Sequence, residues 1–250
     1  MKANLYQEPH RITAYETNVN QCLSLKMLLN LLLMVSGDQN HHLGIKTSNF
    51  QSQHLGWVVV QYSIHLTRLP KTNERVVLAT QADRYNQFIA NRNFAIKDAD
   101  GQPIVKAQSN WIVLDLSRRR LVHLTPKIVR PYGSSFSLRL PHLTRPKLIS
   151  DQQGVTDHSY RVRYSDIDSN RHVDNACYLD WMVDVLSPRF LDDYVPKIVN
   201  LKFSREVRYG SIITSRVKVV SDRAGILTKH EIIANHHVSA IANVKWVKRR

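Results

Sequence analysis

The sequence predicts an α+β fold in which one pattern, a helix followed by four strands of an antiparallel sheet, occurs twice. Each half begins with an apolar helical segment and continues into runs that alternate apolar and polar side chains, which is typical of half-buried strands. Ala107 and Trp111 in the first half match Ala242 and Trp246 in the second, at equivalent strand positions. We therefore expect a duplicated domain, whose period is too long for a solenoid.

In the first half, a stripe of leucines at helical spacing predicts a helix packed on the core: Leu25, Leu28, Leu29 and Leu32. Strands are predicted over residues 56–68, 75–82, 86–97 and 104–115. The first of these strands alternates an apolar set with polar residues, which predicts one buried face: Val58, Val60, Tyr62, Ile64 and Leu66.

In the second half, one helix is predicted over residues 175–191, followed by strands near residues 197–207, 211–221, 226–235 and 237–247. The helix carries an apolar stripe that predicts contacts with a core: Tyr178, Trp181, Met182, Val185 and Leu186. Between the halves, prolines disfavour both helix and central strand and predict a linker that runs over the surface. The expected division is a domain over residues 1–125, a proline-rich linker over 126–156 and a domain over 157–250.

The charge of the chain predicts an acidic partner. There are 35 Lys and Arg against 20 Asp and Glu, which gives a net charge of +15 and a pI near 10.0. No aromatic stacking cluster, helix-turn-helix pattern or zinc-finger spacing accompanies this charge, so we expect no nucleic-acid partner. Short basic runs such as residues 118–120 are interpreted as solvated surface.

Other features of the sequence favour a cytoplasmic protein. Two cysteines do not make a disulfide framework, and no leader segment is recognised at the start. The most apolar stretch, residues 27–35, is far shorter than the roughly 20 residues of a bilayer span. We therefore expect no stable membrane insertion.

The densest group of proton-handling residues lies in DIDSNRHVDNACYLDW, residues 166–181. In an extended segment, Asp168, Asn170 and His172 point to the same side. A carboxylate, an amide and an imidazole together can orient water and a carbonyl group, which is chemistry suited to the hydrolysis of an acyl bond. A turn and helix cap at Asp174 or Asn175 is an alternative explanation for the end of the motif only.

Glu206 is a candidate base for such a reaction. The chain contains neither a G-x-S-x-G nucleophile elbow nor an HExxH zinc motif, so attack by an activated water is the simplest mechanism. No cofactor or metal is expected. Strand alternation places Arg205 on the face of Phe203, so Glu206 faces the other side unless a bulge redirects it. An exposed ion pair with Arg205 or Arg208 is an equally plausible explanation for Glu206.

The motif resembles the signature D-x-D-x-N-x-H-V-N-N-x-x-Y-x-x-W of the acyl-acyl-carrier-protein thioesterases of plants and bacteria. The resemblance implies two tandem hotdog domains, each an antiparallel sheet wrapped around a central helix, and release of free fatty acid from acyl carrier protein. It also implies that Asp168, Asn170, His172 and Glu206 are catalytic. Glu206 would activate water, Asn170 and His172 would orient the water and the thioester, and Asp168 would hold this network.

The chain departs from the family pattern at two positions. Val207 stands where the family often has Cys, so a thiol there is not required, and Asp174 replaces the first Asn of the N-N pair. Backbone N–H groups where the Asn175 helix begins are candidates for binding the oxyanion. Cys177 is interpreted as a buried packing residue.

The first half does not repeat the catalytic set. It places Val19, Gln21 and Leu23 where Asp168, Asn170 and His172 would recur, and Leu69 in place of Glu206. One active site per chain is therefore expected, with the first half shaping the acyl pocket.

The expected partner is an acidic acyl carrier protein that presents a fatty acyl-phosphopantetheine, and the chain is expected to be a monomer or a homodimer. Three alternatives remain open from the sequence. They are hydrolysis of acyl-coenzyme A by the same site, a hotdog dehydratase, which the lack of an H-x-x-x-x-P-G pattern disfavours, and a non-enzymatic binder of an acidic partner.

Overall fold

The computed structural model describes residues 4–45, 50, 52–168, 171–222 and 225–249. Within them, twelve strands form a single sheet. The strands are β1 (Leu5–Arg11), β2 (Leu55–Leu66), β3 (Arg75–Tyr85), β4 (Ala90–Lys97), β5 (Pro103–Asp115), β6 (Arg120–Val122), β7 (Ser135–Phe136), β8 (Val155–Arg161), β9 (Tyr194–Phe203), β10 (Ile212–Asp222), β11 (Gly225–Ala234) and β12 (His237–Lys248). The described helices are α1 (Leu25–His42), α2 (Pro126–Val129), α3 (Asn175–Asp184) and α4 (Pro188–Asp193).

The strand order confirms the duplication. Along the sheet the order is β1-β3-β4-β5-β2-β9-β12-β11-β10-β8, so the second half repeats the first in reverse and the two meet where β2 pairs with β9. Every pair on this path is antiparallel, and a short parallel pair joins β7 to β3. The predicted α+β class with antiparallel sheets is therefore correct.

The two long helices pack on each other over the sheet. Ser24 caps α1 by accepting a hydrogen bond from the Met27 N–H, and the predicted leucine stripe is buried. The predicted stripe of α3 is buried in the same hydrophobic core. Lys26 of α1 also pairs with Asp180 of α3, with Nζ and Oδ2 2.9 Å apart.

Two predicted elements differ in detail from the structure. The helix predicted over residues 175–191 is two helices, because Pro188 has no N–H to continue α3 and instead occupies the first turn of α4, which Ser187 caps. In β2, the pairing with β5 shifts register between Val59 and Gln61. This bulge places Val59 in the core with Tyr62, and leaves Val58 and Val60 only partly buried.

The predicted linker is anchored to the sheet. The Gln61 side chain donates to the carbonyls of Leu143 and Thr144, at 3.3 and 3.1 Å. Farther along, the Ile149 N–H donates to Glu231 Oε1 at 2.7 Å. Segment 143–149 therefore crosses strands of both halves. In the described part of the chain, no helix combines the length and apolar content that a membrane span requires.

Candidate active site

Asp168 and His172 lie at the two ends of a tight turn that is held by hydrogen bonds between its own residues. The Asp168 N–H donates to the His172 carbonyl at 2.8 Å, the Arg171 N–H donates to the Asp168 carbonyl at 3.0 Å, and the His172 N–H donates to Asp168 Oδ1 at 3.2 Å. Arg171 takes a left-handed backbone conformation, with φ of 65°. Asp168 therefore holds the turn that presents His172. The predicted Asn170 lies outside the described residues.

The turn is attached to the segment that follows β9. The Val173 N–H donates to the Val207 carbonyl at 3.1 Å, and the Val207 N–H donates in turn to the hydroxyl of Tyr178 at 3.2 Å. Tyr178 belongs to α3, is 3% exposed and packs edge-on against Phe203. The helix, the turn and the segment containing Glu206 are thus joined by hydrogen bonds.

Glu206 faces His172 because β9 ends before it. The N–H groups of Ser204 and Arg205 both donate to the Ser239 carbonyl, at 2.8 and 3.2 Å, which interrupts the strand alternation. Beyond this point Glu206 Oε2 lies 3.1 Å from His172 Nε2. Both side chains are about a quarter exposed, at 28% and 25%. Two of the sequence-predicted residues therefore form a direct contact.

Arg119, from the first half, also binds Glu206. Its Nη2 donates to Oε2, the same oxygen that contacts His172. Arg119 lies in the turn between β5 and β6 with a φ of 55°. This basic run is exposed, as interpreted, with the Arg119 side chain at 51%, and the ion pair of Glu206 is with this residue rather than with Arg205 or Arg208. Only the pairing of the two halves brings them together, so no local signal in the sequence indicates the contact.

The start of α3 leaves one backbone donor available. Asp174 caps the helix, since its Oδ1 accepts from the Ala176 N–H at 2.7 Å, and its carbonyl accepts from the Cys177 N–H. No described residue accepts a hydrogen bond from the Asn175 N–H. Asn175 borders the same cavity as His172 and Glu206. Of the amides expected to bind an oxyanion, the Asn175 N–H is therefore the one without a partner in the described chain.

The first half contains the same turn without the same side chains. The Asn18 N–H donates to the Cys22 carbonyl, the Gln21 N–H donates to the Asn18 carbonyl, and the Cys22 N–H donates to Asn18 Oδ1 at 3.4 Å. The counterparts of Asp168 and His172 are therefore Asn18 and Cys22. The predicted alignment to Val19, Gln21 and Leu23 was displaced by one residue.

Leu69 does occupy the place of Glu206. The Leu23 N–H donates to the Pro70 carbonyl, just as the Val173 N–H donates to the Val207 carbonyl.

A cavity of about 1440 Å³ opens beside this cluster. This volume exceeds the roughly 300–1,000 Å³ of common ligand pockets. Asp168, His172 and Glu206 lie at its polar end. Its other walls come mainly from apolar residues of the first half, including Leu33, Phe50, Trp57, Val59, Trp111, Leu114 and Tyr132.

The motif's cysteine is not a site residue. Cys177 is 4% exposed, and burial raises the pKa of its thiol to about 12, as expected for a packing residue. Val207, at the family's Cys position, is buried in the core. Among the described residues, His, Cys, Asp and Glu side chains form no group of three or more placed to hold a metal ion.

Comparison with known families identifies the chain. A model of the acyl-ACP thioesterase N-terminal domain matches residues 3–132, and a model of the C-terminal domain of the same family matches residues 149–248. The chain belongs to the acyl-ACP thioesterase family. Members of this family are thioester hydrolases that release fatty acid from acyl-ACP, and this is the activity that the motif predicted.

Solved structures of acyl-ACP thioesterases and related enzymes share the fold. One named as an oleoyl thioesterase from Lactobacillus plantarum is 36% identical and superposes with a TM-score of 0.96, covering 99% of this chain and 98% of that one. A 12:0-ACP thioesterase from Umbellularia californica is 18% identical with a TM-score of 0.88, covering 98% and 94%, which supports the fold alone. The tandem hotdog architecture is thereby confirmed.

Among curated acyl-ACP thioesterases, an oleoyl-acyl carrier protein thioesterase from Coriandrum sativum is 25% identical over 96% of this chain and 69% of its own length. The Arabidopsis thaliana oleoyl-acyl carrier protein thioesterase 2 is 25% identical over 84% of this chain and 62% of its own length.

Proposed function

We propose that this chain hydrolyses the thioester of fatty acyl-acyl carrier protein by a water that Glu206 activates beside His172. The contact of 3.1 Å between His172 Nε2 and Glu206 Oε2, at the polar end of a large cavity, carries the proposal. A carboxylate and an imidazole within hydrogen-bond reach can accept, hold and return a proton during acyl transfer to water.

The geometry suggests how the carboxylate acts. Arg119 and His172 both contact Oε2, whereas no described residue donates a hydrogen bond to Oε1. Oε1 is therefore available to take a proton from water as the water oxygen bonds to the thioester carbon. The carbon–sulfur bond then breaks, and the proton passes to the leaving sulfur, which gives a free thiol and a fatty acid.

The remaining residues position the reactants. Asp168 holds the turn that carries His172, through its bond to the His172 N–H. We assign Asn170 and His172 to the orientation of water and carbonyl, as the family resemblance implies. The Asn175 N–H, at the start of α3, is suited to the negative charge that develops on the carbonyl oxygen, because donors fixed in place stabilise such charge without rearranging.

The proposed partner is an acidic acyl carrier protein carrying a fatty acyl-phosphopantetheine. The net charge of +15 favours it, and four arginines border the cavity: Arg119, Arg171, Arg205 and Arg208. Acyl-coenzyme A, also anionic, is the second candidate substrate. We further propose that residues 157–250 form the catalytic domain, that residues 1–125 shape the acyl pocket, and that the chain acts in the cytoplasm as a monomer or homodimer.

The substitution Glu206→Gln tests the mechanism. It keeps the shape of the side chain and removes its basicity, so kcat/KM for thiol release from acyl-ACP should fall by roughly 10²–10⁴-fold. The matched control is Glu74→Gln, since Glu74 is also held by an arginine, Arg68, at 2.7 Å, but does not border the cavity. We expect His172→Ala to lower kcat/KM for thiol release to a similar extent.

The activity of Glu206→Gln, a comparison of the two thioester substrates and a binding measurement together distinguish the proposed function from its alternatives. Full activity in Glu206→Gln would remove this residue from the mechanism. Faster turnover of acyl-coenzyme A than of acyl-ACP would favour the second substrate. Salt-sensitive binding of the carrier with no turnover at all would leave only a binding role.

A further inference from the structure

A buried arginine lies in the first half without a carboxylate to balance it. Arg92, on β4, is 7% exposed, and burial lowers the pKa of its guanidinium to about 10. Its Nη1 donates to Gln39 Oε1 and to Thr80 Oγ1. Its guanidinium also lies over the Tyr132 ring, 5.5 Å from the ring centroid. Among the described residues, Arg92 makes no ion pair, and no further hydrogen bond joins it to an acceptor. A buried cation normally has a counter-charge or a full set of acceptors, so this arginine has capacity for a ligand.

An amide oxygen near it also has no partner. Asn40, on α1, lines the same cavity as Arg92, and its Oδ1 is buried without a hydrogen bond in the described structure. Such an unpaired atom is unfavourable unless a ligand or water satisfies it. The side chain of Asn91 does not belong to this group, because neighbouring strand residues point to opposite faces and Asn91 instead bonds Asn110, its register partner.

Arg92 and Asn40 both line one small cavity of about 50 Å³. It holds a few atoms, since about 10–15 Å³ on this measure accommodates one water. The small cavity shares wall residues with the active-site cavity, among them Trp57 and Tyr132. It therefore adjoins the space that the acyl chain would occupy.

The second half shows that this space is not a by-product of the fold. Arg92 and Thr228 occupy equivalent positions in the two halves. On β4, Arg92 pairs with Ser109, two residues from the Phe94–Ala107 pair. On β11, Thr228 pairs with Val244, two residues from the corresponding His230–Ala242 pair. In the second half, the Trp246 side chain occupies the space beside Thr228. Its Nε1 donates to the Thr228 hydroxyl at 2.8 Å, and both residues are buried. The same place in the first half contains a cation and a cavity.

We propose that this small cavity, with Arg92 and Asn40 in its wall, binds a hydroxyl group on the distal part of the acyl chain. A hydroxyl accepts a hydrogen bond from Arg92 and donates one to Asn40 Oδ1, so it satisfies both kinds of unpaired group. A carboxylate would match the cation but would place a second acceptor against the Asn40 oxygen, and a plain methyl end would satisfy neither. The preferred substrates are therefore hydroxylated fatty acyl thioesters. This inference rests on the proposed thioesterase activity.

The test compares acyl-ACP substrates of equal chain length, with and without one hydroxyl placed at successive carbons of the distal half. For at least one position, the wild-type protein should hydrolyse the hydroxylated chain at least about tenfold faster in kcat/KM, because sites built to bond a substrate hydroxyl discriminate strongly against its absence. Arg92→Met should abolish this ratio while retaining turnover of the plain chain.

Arg84→Met is the control, since Arg84 lies on the neighbouring strand with its side chain 51% exposed, and the ratio should not change. If Arg92→Met does not fold, Asn40→Leu provides the second variant and should also reduce the ratio. Wild-type preference for the plain chain at every position would overturn the inference, as would an unchanged ratio in folded Arg92→Met. Hydrolysis of neither substrate would instead refute the proposed function.

Discussion

The substitution Tyr178→Phe isolates one hydrogen bond that fixes the segment containing Glu206. The Tyr178 hydroxyl accepts from the Val207 N–H at 3.2 Å. The ring packs edge-on against Phe203 and Trp181, with centroids 5.4 and 5.8 Å away. Phenylalanine retains these ring contacts and removes only the hydroxyl. The change therefore leaves a buried N–H without an acceptor and creates a cavity of no more than one oxygen atom.

The expected loss follows from burial. Val207 is 2% exposed, and an unsatisfied buried donor costs about 1–3 kcal/mol. For a chain of this size, 1 kcal/mol shifts Tm by roughly 2–4 °C, so Tm should fall by about 2–12 °C. If the segment moves so that the N–H reaches water, Glu206 moves with it. We then expect kcat/KM to fall about tenfold or more, because displacements near 1 Å at a site can cost on the order of 10²-fold.

Tyr160→Phe is the matched control for this experiment. Tyr160 also packs on Trp181, but its hydroxyl donates to Asp184 Oδ2 at 2.6 Å at the exposed surface. Both groups reach water once this bond is lost, so the loss should cost about 0.5–1.5 kcal/mol and leave turnover intact. Thermal unfolding and thiol release are measured on both variants. If Tyr178→Phe retains wild-type Tm and kcat/KM, or if Tyr160→Phe loses as much, the assigned role of the Tyr178 hydroxyl is wrong.

Three further outcomes are expected. Tyr62→Phe should leave Tm unchanged or raise it, because the Tyr62 hydroxyl is buried with no hydrogen-bond partner in the described structure; a clear decrease in Tm would mean that it has one. Cys177 should resist a thiol reagent at pH 8 until the protein unfolds, since burial raises the pKa of its thiol to about 12, whereas half-exposed Cys22 serves as the internal comparison. Burial lowers the pKa of His230 from 6.5 to about 3. As pH falls below about 6.5, His230 therefore takes up a proton in the unfolded chain before it does so in the folded one. The free energy of unfolding decreases in that range by up to roughly 1.4 kcal/mol per pH unit. Denaturant unfolding at pH 7 and 4.5 should show a smaller loss in His230→Gln, and an equal loss in both proteins would contradict this account.

Local patterns in the sequence predicted much of the fold. The stripes of α1 and α3 and the alternation of the inner strands reflect burial on one face, which each segment encodes in its own residues. The edge strands β1 and β8 were missed because most of their residues are exposed and polar, so they carry little alternation. The break before Pro188 was readable from the sequence, since proline does not continue a helix.

The site was predicted only as far as the motif reaches. His172 and Glu206 were named from type and spacing, and the structure brings them into contact. Arg119 was not found, because its contact with Glu206 depends on how the two halves pair rather than on any neighbouring residue. The bulge in β2 was also missed, since an unbroken valine run does not mark where one residue is skipped.

The duplication gives both halves the same backbone turn, and the two halves differ in the side chains that this turn presents. The turns at Asn18–Cys22 and Asp168–His172 share the same pattern of hydrogen bonds, so backbone geometry alone does not make a catalytic centre. In the second half that geometry presents an imidazole to a carboxylate, and the space beneath is filled by Trp246. In the first half the reactive groups are absent and the space is open. Because Arg119 then reaches from the open half to Glu206 of the filled half, the His172–Glu206 cluster and the large cavity beside it are built from both halves.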